Sequence, residues 1–475
     1  MLRSHKKSLL GDAAACDNRP LMKRIAVIGS GYVGLVSGAM FAAVGNRVVC
    51  VDKDPSVLNA LREGKCTIHE PGLEEVLRSA IAEEHLRFTA DTAEAVAASD
   101  ATFIAVGTPS MESGAYDFSY VYAAARDIGR ALRTKSDYHL VVLKSTVTPD
   151  IYTAVTEILR QETEGSNVEF EVVSNPEFLA EGTAVRDFSQ PSRVIVGAVS
   201  KAARDFMEGL YAPYTRRKPG LLQFTDPKSA IVTKLAANTF LACRVALVNE
   251  IAQYCDAVGA DIDQVRTGLA TDARIGHLFL YAGPGYGGSC FGKDLRALRE
   301  SARDHGTEVS LIPAVEDSNN RHKLYLVRAI ERRLHPIAGK TIAVWGIAFK
   351  ARTDDIRESP ALTVIDALLE RGAKVQAHDP EAHKRAADRY GDTIALCPNK
   401  YDTLNGAHAL VIMTEWDTYK SPDLQQLKDC LLEATVFDAR NILDPDEVED
   451  AGLRYVGMGR RHAEGKAAAA GGLVP

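Results

Sequence analysis

Cys290 stands in the run Gly285-Tyr286-Gly287-Gly288-Ser289-Cys290-Phe291-Gly292-Lys293-Asp294, one thiol among four glycines with a lysine and an aspartate close behind. Glycine lets the backbone approach a bound molecule and adopt positive φ without a Cβ clash. A cation near sulfur favours the nucleophilic thiolate over the thiol. The bland alternative for a single cysteine is a small, inert core residue, and the glycines and the Lys293-Asp294 pair argue against it. Far upstream, Lys23-Arg24-Ile25-Ala26-Val27-Ile28 runs into Gly29-Ser30-Gly31-Tyr32-Val33-Gly34 and then an apolar helical pattern. A dinucleotide site combined with a poised cysteine implies oxidation through a covalent intermediate.

The glycine motif alone is weak, but here it follows a strand, opens a helix and precedes a second strand ending at Asp52. Gly29, Gly31 and Gly34 then form the turn, and the pyrophosphate rests on the helix N-terminus near Tyr32 and Val33, drawn by unpaired N–H groups and the helix dipole. A carboxylate at Asp52 accepts both ribose hydroxyls and repels a 2′-phosphate, so the expected cofactor is NAD; Lys53 beside it tempers that exclusion of NADP. Val106-Gly107-Thr108-Pro109 and Lys144-Ser145-Thr146-Val147 each follow an apolar strand, at the sheet edge where ligands bind, although each also reads as a plain turn. Lys234 and Asn238, at i and i+4, share one helix face. In so apolar a helix a lysine needs a partner. Asn175-Pro176-Glu177-Phe178-Leu179-Ala180-Glu181-Gly182 follows another strand, and two glutamates there say little by themselves.

The elements that must position these groups alternate. Strands are expected at Arg24–Ile28, Arg47–Val51, Ala101–Val106, Leu140–Lys144, Phe170–Ser174 and Arg193–Val196, with helical periodicity between them, the pattern of a parallel sheet covered by helices. One long helix from Pro227 to about Val258 follows, apolar on more than one face, as befits a domain connector or subunit interface. After Pro336 the alternation resumes at Lys340–Trp345, a helix from Ser359 to about Arg371, Lys374–His378, Ala409–Met413 and Thr435–Asp438. Ile342-Ala-Val-Trp-Gly346 echoes Ile25-Ala-Val-Ile-Gly29, and Ala377-His-Asp-Pro380 echoes Val51-Asp-Lys-Asp-Pro55. The expected fold is α/β: two Rossmann-like doubly wound parallel-sheet domains joined by a long central helix. The second lacks the triple glycine and should recognise substrate rather than a second dinucleotide.

At 475 residues, 46% hydrophobic and 25% charged, the chain divides into two or three domains. The expected units are an NAD-binding domain at 22–226, a helical connector and dimerisation domain carrying the cysteine loop at 227–335, and a nucleotide-sugar-binding domain at 336–457. Residues 1–21 are expected to be a disordered extension and 458–475 a flexible tail of linker composition. A net charge of −7 and a pI near 6.0 argue against nucleic-acid or anionic-membrane binding. The eight cysteines are scattered, without a C-x-x-C pair, which disfavours a metal site and a disulfide scaffold and fits a reducing cytoplasm. Arg244 interrupts the most apolar stretch, Phe240–Val248, so no membrane span is expected, and residues 1–20 lack the apolar segment of a signal peptide.

Taken together, these segments closely resemble the nucleotide-sugar 6-dehydrogenases. The resemblance covers about Met22 to Gly457 and runs in the family's order through Ile28-Gly-Ser-Gly-Tyr-Val-Gly-Leu35, Val106–Pro109, Lys144–Val147, Ser174–Gly182, Lys234-Leu-Ala-Ala-Asn238, Asp272-Ala-Arg-Ile-Gly276, Gly287–Asp294, Phe349-Lys350, Arg357-Glu-Ser359 and Phe437-Asp-Ala-Arg440. A proline frequent in the family's cysteine loop is replaced by Gly292. The resemblance implies two successive hydride transfers to NAD at C6 of a sugar, with UDP-glucose favoured as substrate over GDP-mannose or a UDP-N-acetylhexosamine by Asp272-x-Arg-Ile-Gly and Phe279-Leu-Tyr281. It makes Cys290 the nucleophile and places Lys234 and Asn238 on the oxyanion. Asp294, Thr146 and Glu177 become candidates for activating water, with Asp294 favoured and Glu177 assisting. Glu177, Phe178, Leu179, Arg274, Phe279, Leu280, Tyr281, Gly287, Lys350 and Arg440 are implied to line the sugar-nucleotide pocket, Arg274 from a partner subunit. Thr108, Thr146, Glu181, Lys293 and Arg357 are implied on the cofactor side. A homodimer or higher homo-oligomer through the central helix is expected, and the uronate product would feed polysaccharide synthesis. A β-hydroxyacid dehydrogenase shares the helical lysine and asparagine but needs one hydride transfer and no thiol, so Cys290 discriminates. A silent NAD-binding scaffold would be expected to lack one of Lys234, Asn238, Cys290 or Asp294.

Overall fold

The computed structural model describes residues 22–109, 111 and 116–460. The expected extension at 1–21 and nearly all of the expected tail lie outside the described residues. The first sheet has eight strands in the order β3-β2-β1-β4-β5-β6-β7-β8. These are β1 (Arg24–Ile28), β2 (Arg47–Val51), β3 (Leu86–Thr89), β4 (Ala101–Ile104), β5 (His139–Leu143), β6 (Phe170–Ser174), β7 (Val194–Gly197) and β8 (Leu222–Thr225). Strands β1, β2, β4 and β5 are buried almost throughout, because helices cover both faces of the sheet and leave neither face to water.

One junction departs from the all-parallel expectation. Strand β6 meets β7 antiparallel at the single pair Ser174↔Gly197, and β7 then pairs parallel with β8. Gly197 also meets the start of the central helix, where a Cβ would lie 2.4 Å from the Pro227 Cα. The chain is therefore handed from sheet to helix at a point with no room for a side chain.

The second sheet has six strands, all parallel, in the order β11-β10-β9-β12-β13-β14: β9 (Thr341–Trp345), β10 (Lys374–His378), β11 (Ala395–Leu396), β12 (Ala409–Ile412), β13 (Thr435–Asp438) and β14 (Arg454–Gly457). Its internal echo of the first sheet is physical. Gly29 has φ +98° and donates to the Val51 carbonyl at 2.8 Å, while Gly346 has φ +99° and donates to the His378 carbonyl at 2.8 Å. Past that turn the two diverge. Asp379 accepts from the amides of Ile347 (2.7 Å) and Ala348 (2.9 Å) and from Trp416 Nε1 (3.3 Å), and the next helix begins only at Pro360. The carboxylate that matches Asp52 is thus taken up by additional protein donors.

Between the sheets runs the 32-residue central helix, Pro227–Val258, capped by Asp226 at its start and closed by Gly259 in the left-handed region. It packs on β6, β7, the helix Pro149–Glu162, the cysteine helix Phe291–Asp304 and the helix Leu311–Arg333. By length and hydropathy it would also suffice to cross a membrane. Here its apolar residues divide between those contacts and an exposed stripe through Phe240, Leu247 and Tyr254.

Candidate active site

The glycine turn is shaped by what a side chain would hit. A Cβ on Gly34 would stand 1.8 Å from the Gly29 carbonyl oxygen, so the helix can seat against the turn only with glycine there. A Cβ on Gly31 would meet nothing within 4 Å, and Gly31 is the N-cap of the helix Tyr32–Ala43 with no side chain capping its amides. Those free N–H groups suit a pyrophosphate. Asp52, at the end of β2, accepts from Ser30 N at 2.9 Å and from Asp54 N at 3.0 Å, which holds its carboxylate beside the turn. Lys53 points away to Asp127 at 3.3 Å, so the cation adjacent in sequence does not offset Asp52. The cradle fits an NAD ribose and pyrophosphate. Tyr32 is held by Glu70, whose carboxylate also accepts from Gly182 N (2.7 Å) and Ala184 N (2.8 Å).

Lys234 and Asn238 project from one face of the central helix into a buried polar cluster. Lys234 Nζ lies 2.9 Å from Glu177 Oε1, both side chains almost wholly buried, and Glu177 Oε2 accepts from Leu179 N at 2.5 Å. Burial alone would favour a neutral amine at Lys234, but Glu177, Asp294 and Cys290 outweigh it and hold the lysine above its ordinary pKa. Burial likewise works to raise Glu177, yet the Lys234 charge and hydrogen bond, the Leu179 amide and Lys144 keep it below the usual carboxylate value. The pair is therefore ammonium and carboxylate, and Lys234 can stabilise negative charge but cannot take a proton. Asn238 Nδ2 donates to Asp294 Oδ2 at 2.6 Å. The other Asp294 oxygen accepts from the Tyr116 hydroxyl, also at 2.6 Å, and Lys293 Nζ stands 3.8 Å away. Thr146 is half-buried just beyond β5.

Cys290 is the N-cap of the cysteine helix, with its sulfur 3.5 Å from Ser289 Oγ. Here the structure corrects the sequence-based expectation. Burial pushes the thiol pKa up, Lys234 opposes it, and Asp294 and Glu177 reinforce it, with a net rise. The opposing cation is Lys234 from another element, and Lys293, its neighbour in sequence, instead donates to Thr108 Oγ1 at 3.2 Å. Cys290 in the free protein should thus be alkylated by iodoacetamide slowly at neutral pH. The rate should keep climbing at alkaline pH where an ordinary surface thiol has levelled off; a plateau below pH ~8.5 would contradict the assigned environment.

The surrounding walls come from all three parts of the chain. Glu181 accepts from Ser289 Oγ (3.1 Å) and Thr353 Oγ1 (3.2 Å) and faces Arg357 at 3.8 Å. Arg357 is held by a bidentate pair with Asp355. Phe178 stacks under Arg193 at 3.9 Å and lies 5.5 Å from Lys234 Nζ, and Leu179 is half-buried against the first domain's core. Burial lowers the Lys350 pKa, against the pull of Glu181, Glu415 and Cys290. Arg440 donates to the carbonyls of Met413 (2.9 Å) and Phe349 (2.5 Å). With Tyr281, Arg266 and Arg460 it lines a cavity of 390 Å³. Leu280 is buried, while Phe279, at φ +59°, and Tyr281 are open to solvent. Gly287 has no space for a Cβ, which would lie 2.5 Å from the Glu358 carbonyl. Arg274 is not brought to the cluster within this chain: its side chain is 88% exposed and paired with Asp272 at 2.6 Å.

Three family models cover most of the chain: the NAD binding domain of the UDP-glucose/GDP-mannose dehydrogenase family at residues 23–215, its central domain at 228–321 and its UDP binding domain at 343–445. The chain belongs to this family. It is similar to UDP-glucose 6-dehydrogenases of Pseudomonas aeruginosa, 42% identical over 93% of this chain and 98% of the relative, and of Rhizobium meliloti, 43% identical over 92% and 99%. Among solved structures it resembles a UDP-glucose dehydrogenase of Pyrobaculum islandicum, 38% identical, with a TM-score of 0.86 over 93% of this chain and 99% of that one. NAD is the family's cofactor, and the first sheet is its binding domain.

Two participants escaped sequence reasoning. Tyr116 belongs to no motif, and only the fold shows that its hydroxyl reaches Asp294. Lys144 was legible only as part of a turn. It is buried beside Asn175 Oδ1 (3.1 Å) and the Tyr211 hydroxyl (3.2 Å). Burial pushes its pKa down to about 7, Glu177 opposing and Lys234 reinforcing.

Proposed function

We propose that this chain oxidises UDP-glucose at C6 to UDP-glucuronate, in two hydride transfers separated by a covalent bond to Cys290. The observation that carries this reading is the meeting of one thiol, one buried ammonium and one carboxylate–amide pair at Cys290, Lys234, Asp294 and Asn238. NAD, when bound, accepts a hydride at each oxidation. In the first, the C6 hydroxyl proton passes to a base, for which a water held by Asp294 and Thr146 is suited, because Lys234 already carries its proton. Cys290 then gives up its thiol proton to solvent through that same water, and the Sγ thiolate adds to the aldehyde carbon. The carbonyl oxygen becomes an oxyanion facing the Lys234 ammonium and the second N–H of Asn238 Nδ2. Loss of hydride from that adduct leaves a thioester. Water, activated by Asp294 with Glu177 assisting, adds to it, the C–S bond breaks, and the thiolate leaves.

Arg440, Lys350 and the Phe279–Tyr281 segment offer cations and aromatic surface to a nucleotide diphosphate, and arginine's planar fork suits its oxygens. Purified protein incubated with UDP-glucose and NAD should form two NADH per sugar and a glucuronate product. One NADH per sugar, or a preference for GDP-mannose or UDP-N-acetylhexosamines in a parallel panel, would overturn the assignment. The likeness to a UDP-D-ManNAc dehydrogenase of Pyrococcus horikoshii, 28% identical with a TM-score of 0.79 over 92% of this chain and 99% of that one, makes the N-acetylhexosamines the second reading.

We assign the exposed stripe Phe240, Leu247 and Tyr254, 69%, 59% and 67% exposed and spaced at sevens, to a homodimer seam along the central helix. Arg244 of the same helix donates to the Ile275 carbonyl at 2.7 Å, which puts the solvent-facing Arg274 beside that seam. Leu247→Glu should convert the dimer to monomer by sedimentation velocity; an unchanged sedimentation coefficient would place the seam elsewhere. The seven described cysteines are free thiols, which suits a reducing cytoplasm, where the uronate could supply acidic polysaccharide synthesis.

A further inference from the structure

The segment 355–359 of the third unit lies across the cysteine loop and touches it on both sides of Cys290. Gly288 N donates to the Arg357 carbonyl at 2.9 Å. On the near side, the Glu358 carbonyl occupies the space of a Gly287 side chain, 2.5 Å from where its Cβ would be. On the far side, the Glu358 carboxylate does the same at Gly292, in the first turn of the cysteine helix, with Oε2 2.4 Å from the Cβ position. Its other oxygen accepts from Arg296 Nη2 at 2.6 Å, one turn further along that helix, and Arg296 is shared with Glu316 at 3.4 Å. Glu358 itself sits at φ +51°, a backbone state that a side-chain-bearing residue keeps only when its surroundings enforce it.

We propose that Glu358 is a positioning residue for Cys290: its carboxylate, seated on the bare Gly292 backbone and paired with Arg296, holds the start of the cysteine helix so that the sulfur meets the aldehyde carbon. The inference rests on the thioester reading above. It makes a demand that a general structural role does not. The first hydride transfer needs no sulfur, so loosening the clamp uncouples the two oxidations. Gly292 and Glu358 act as one unit, because a side chain at the first displaces the carboxylate of the second.

The test compares wild type, Cys290→Ser, Glu358→Gln, Glu358→Ala, Gly292→Ala and the double variant Glu358→Ala/Gly292→Ala. NADH per UDP-glucose and free aldehyde trapped by hydroxylamine are measured, with KM values and melting temperatures. Glu358→Ala is expected to keep both KM values within about twofold while its NADH yield falls from two toward one and aldehyde appears. Glu358→Gln, which keeps the shape, should lie between it and wild type. Gly292→Ala should behave like Glu358→Ala, and the double variant should lose no more than either single one, the non-additivity of a shared contact. A yield of two at wild-type rate in Glu358→Ala, additive losses, or equal loss of both oxidations together with the melting temperature would each overturn the proposal. If wild type itself yields one NADH per sugar, or Cys290→Ser is indifferent, the thioester reading fails instead.

Discussion

Cys290→Ser ends uronate formation: the steady rate of the overall oxidation falls by about 10³-fold or more, the scale of loss when a covalent nucleophile is removed. The reason is chemical rather than architectural. Serine fits the N-cap at least as well as cysteine does, so folding and NAD binding should survive. Its hydroxyl, however, has no accessible anion near neutral pH and is a poorer leaving group in the final hydrolysis. The first oxidation has no need of sulfur, so a slow, single release of NADH and a trappable aldehyde should remain. Rapid-quench NADH yield with product analysis checks this; a variant that still makes glucuronate at more than a few per cent of the wild-type rate would remove Cys290 from the chemistry.

Lys234→Met has the second large effect, on both rate and stability. In the proposed mechanism its ammonium faces the developing oxyanion, and deleting one such stabiliser typically lowers kcat by about 10²–10³-fold. The variant also strands the Glu177 carboxylate in a buried site, and breaking a buried pair in this way costs about 3–5 kcal/mol. The pH dependence separates this from a packing defect. In the wild type Glu177 is depressed, so its contribution is present above the unfolded value of about 4.3 and is lost as pH falls through the lower folded value. Lys234 is raised, so its contribution is present below the unfolded value of about 10.4 and is lost as pH climbs past the folded one. Without Lys234, burial dominates Glu177 and lifts it above its unfolded value, so the variant gains relative stability on acidification. Urea midpoints should show the gap between wild type and variant narrowing from pH ~7 to pH ~4.5. A gap that stays constant would mean that the pair is not charged as described.

The strands legible in the sequence are those inside the sheets, with a neighbour on each side. Arg24–Ile28, Arg47–Val51, Phe170–Ser174, Lys374–His378 and Thr435–Asp438 match the observed strands end for end. The four that escaped, β3, β8, β11 and β14, are the four sheet edges. An edge strand such as Leu222–Thr225 has no fully buried residue, and Ala395–Leu396 is two residues long. Their place is set by pairing with a neighbour and not by their own hydrophobic run. The antiparallel step at Ser174↔Gly197 is invisible for the same reason, since direction is a property of the pair.

The family, the dinucleotide turn with the acidic residue that follows it, the long helix with Lys234 and Asn238 on one face and the glycine-rich loop around Cys290 are all legible in the sequence alone. Each is a local pattern whose meaning lies in spacing. Charge and contact, by contrast, arise from packing. Glu177, in the motif before that of Lys234, becomes its counter-ion; Lys293, adjacent to Asp294, donates to Thr108; Tyr116, which has no motif, closes on Asp294; and the rise in the Cys290 pKa follows from burial that no flanking residue reveals. Electrostatics inside a protein depends on distance and on exclusion of water, and both are created only when elements far apart in the chain pack together.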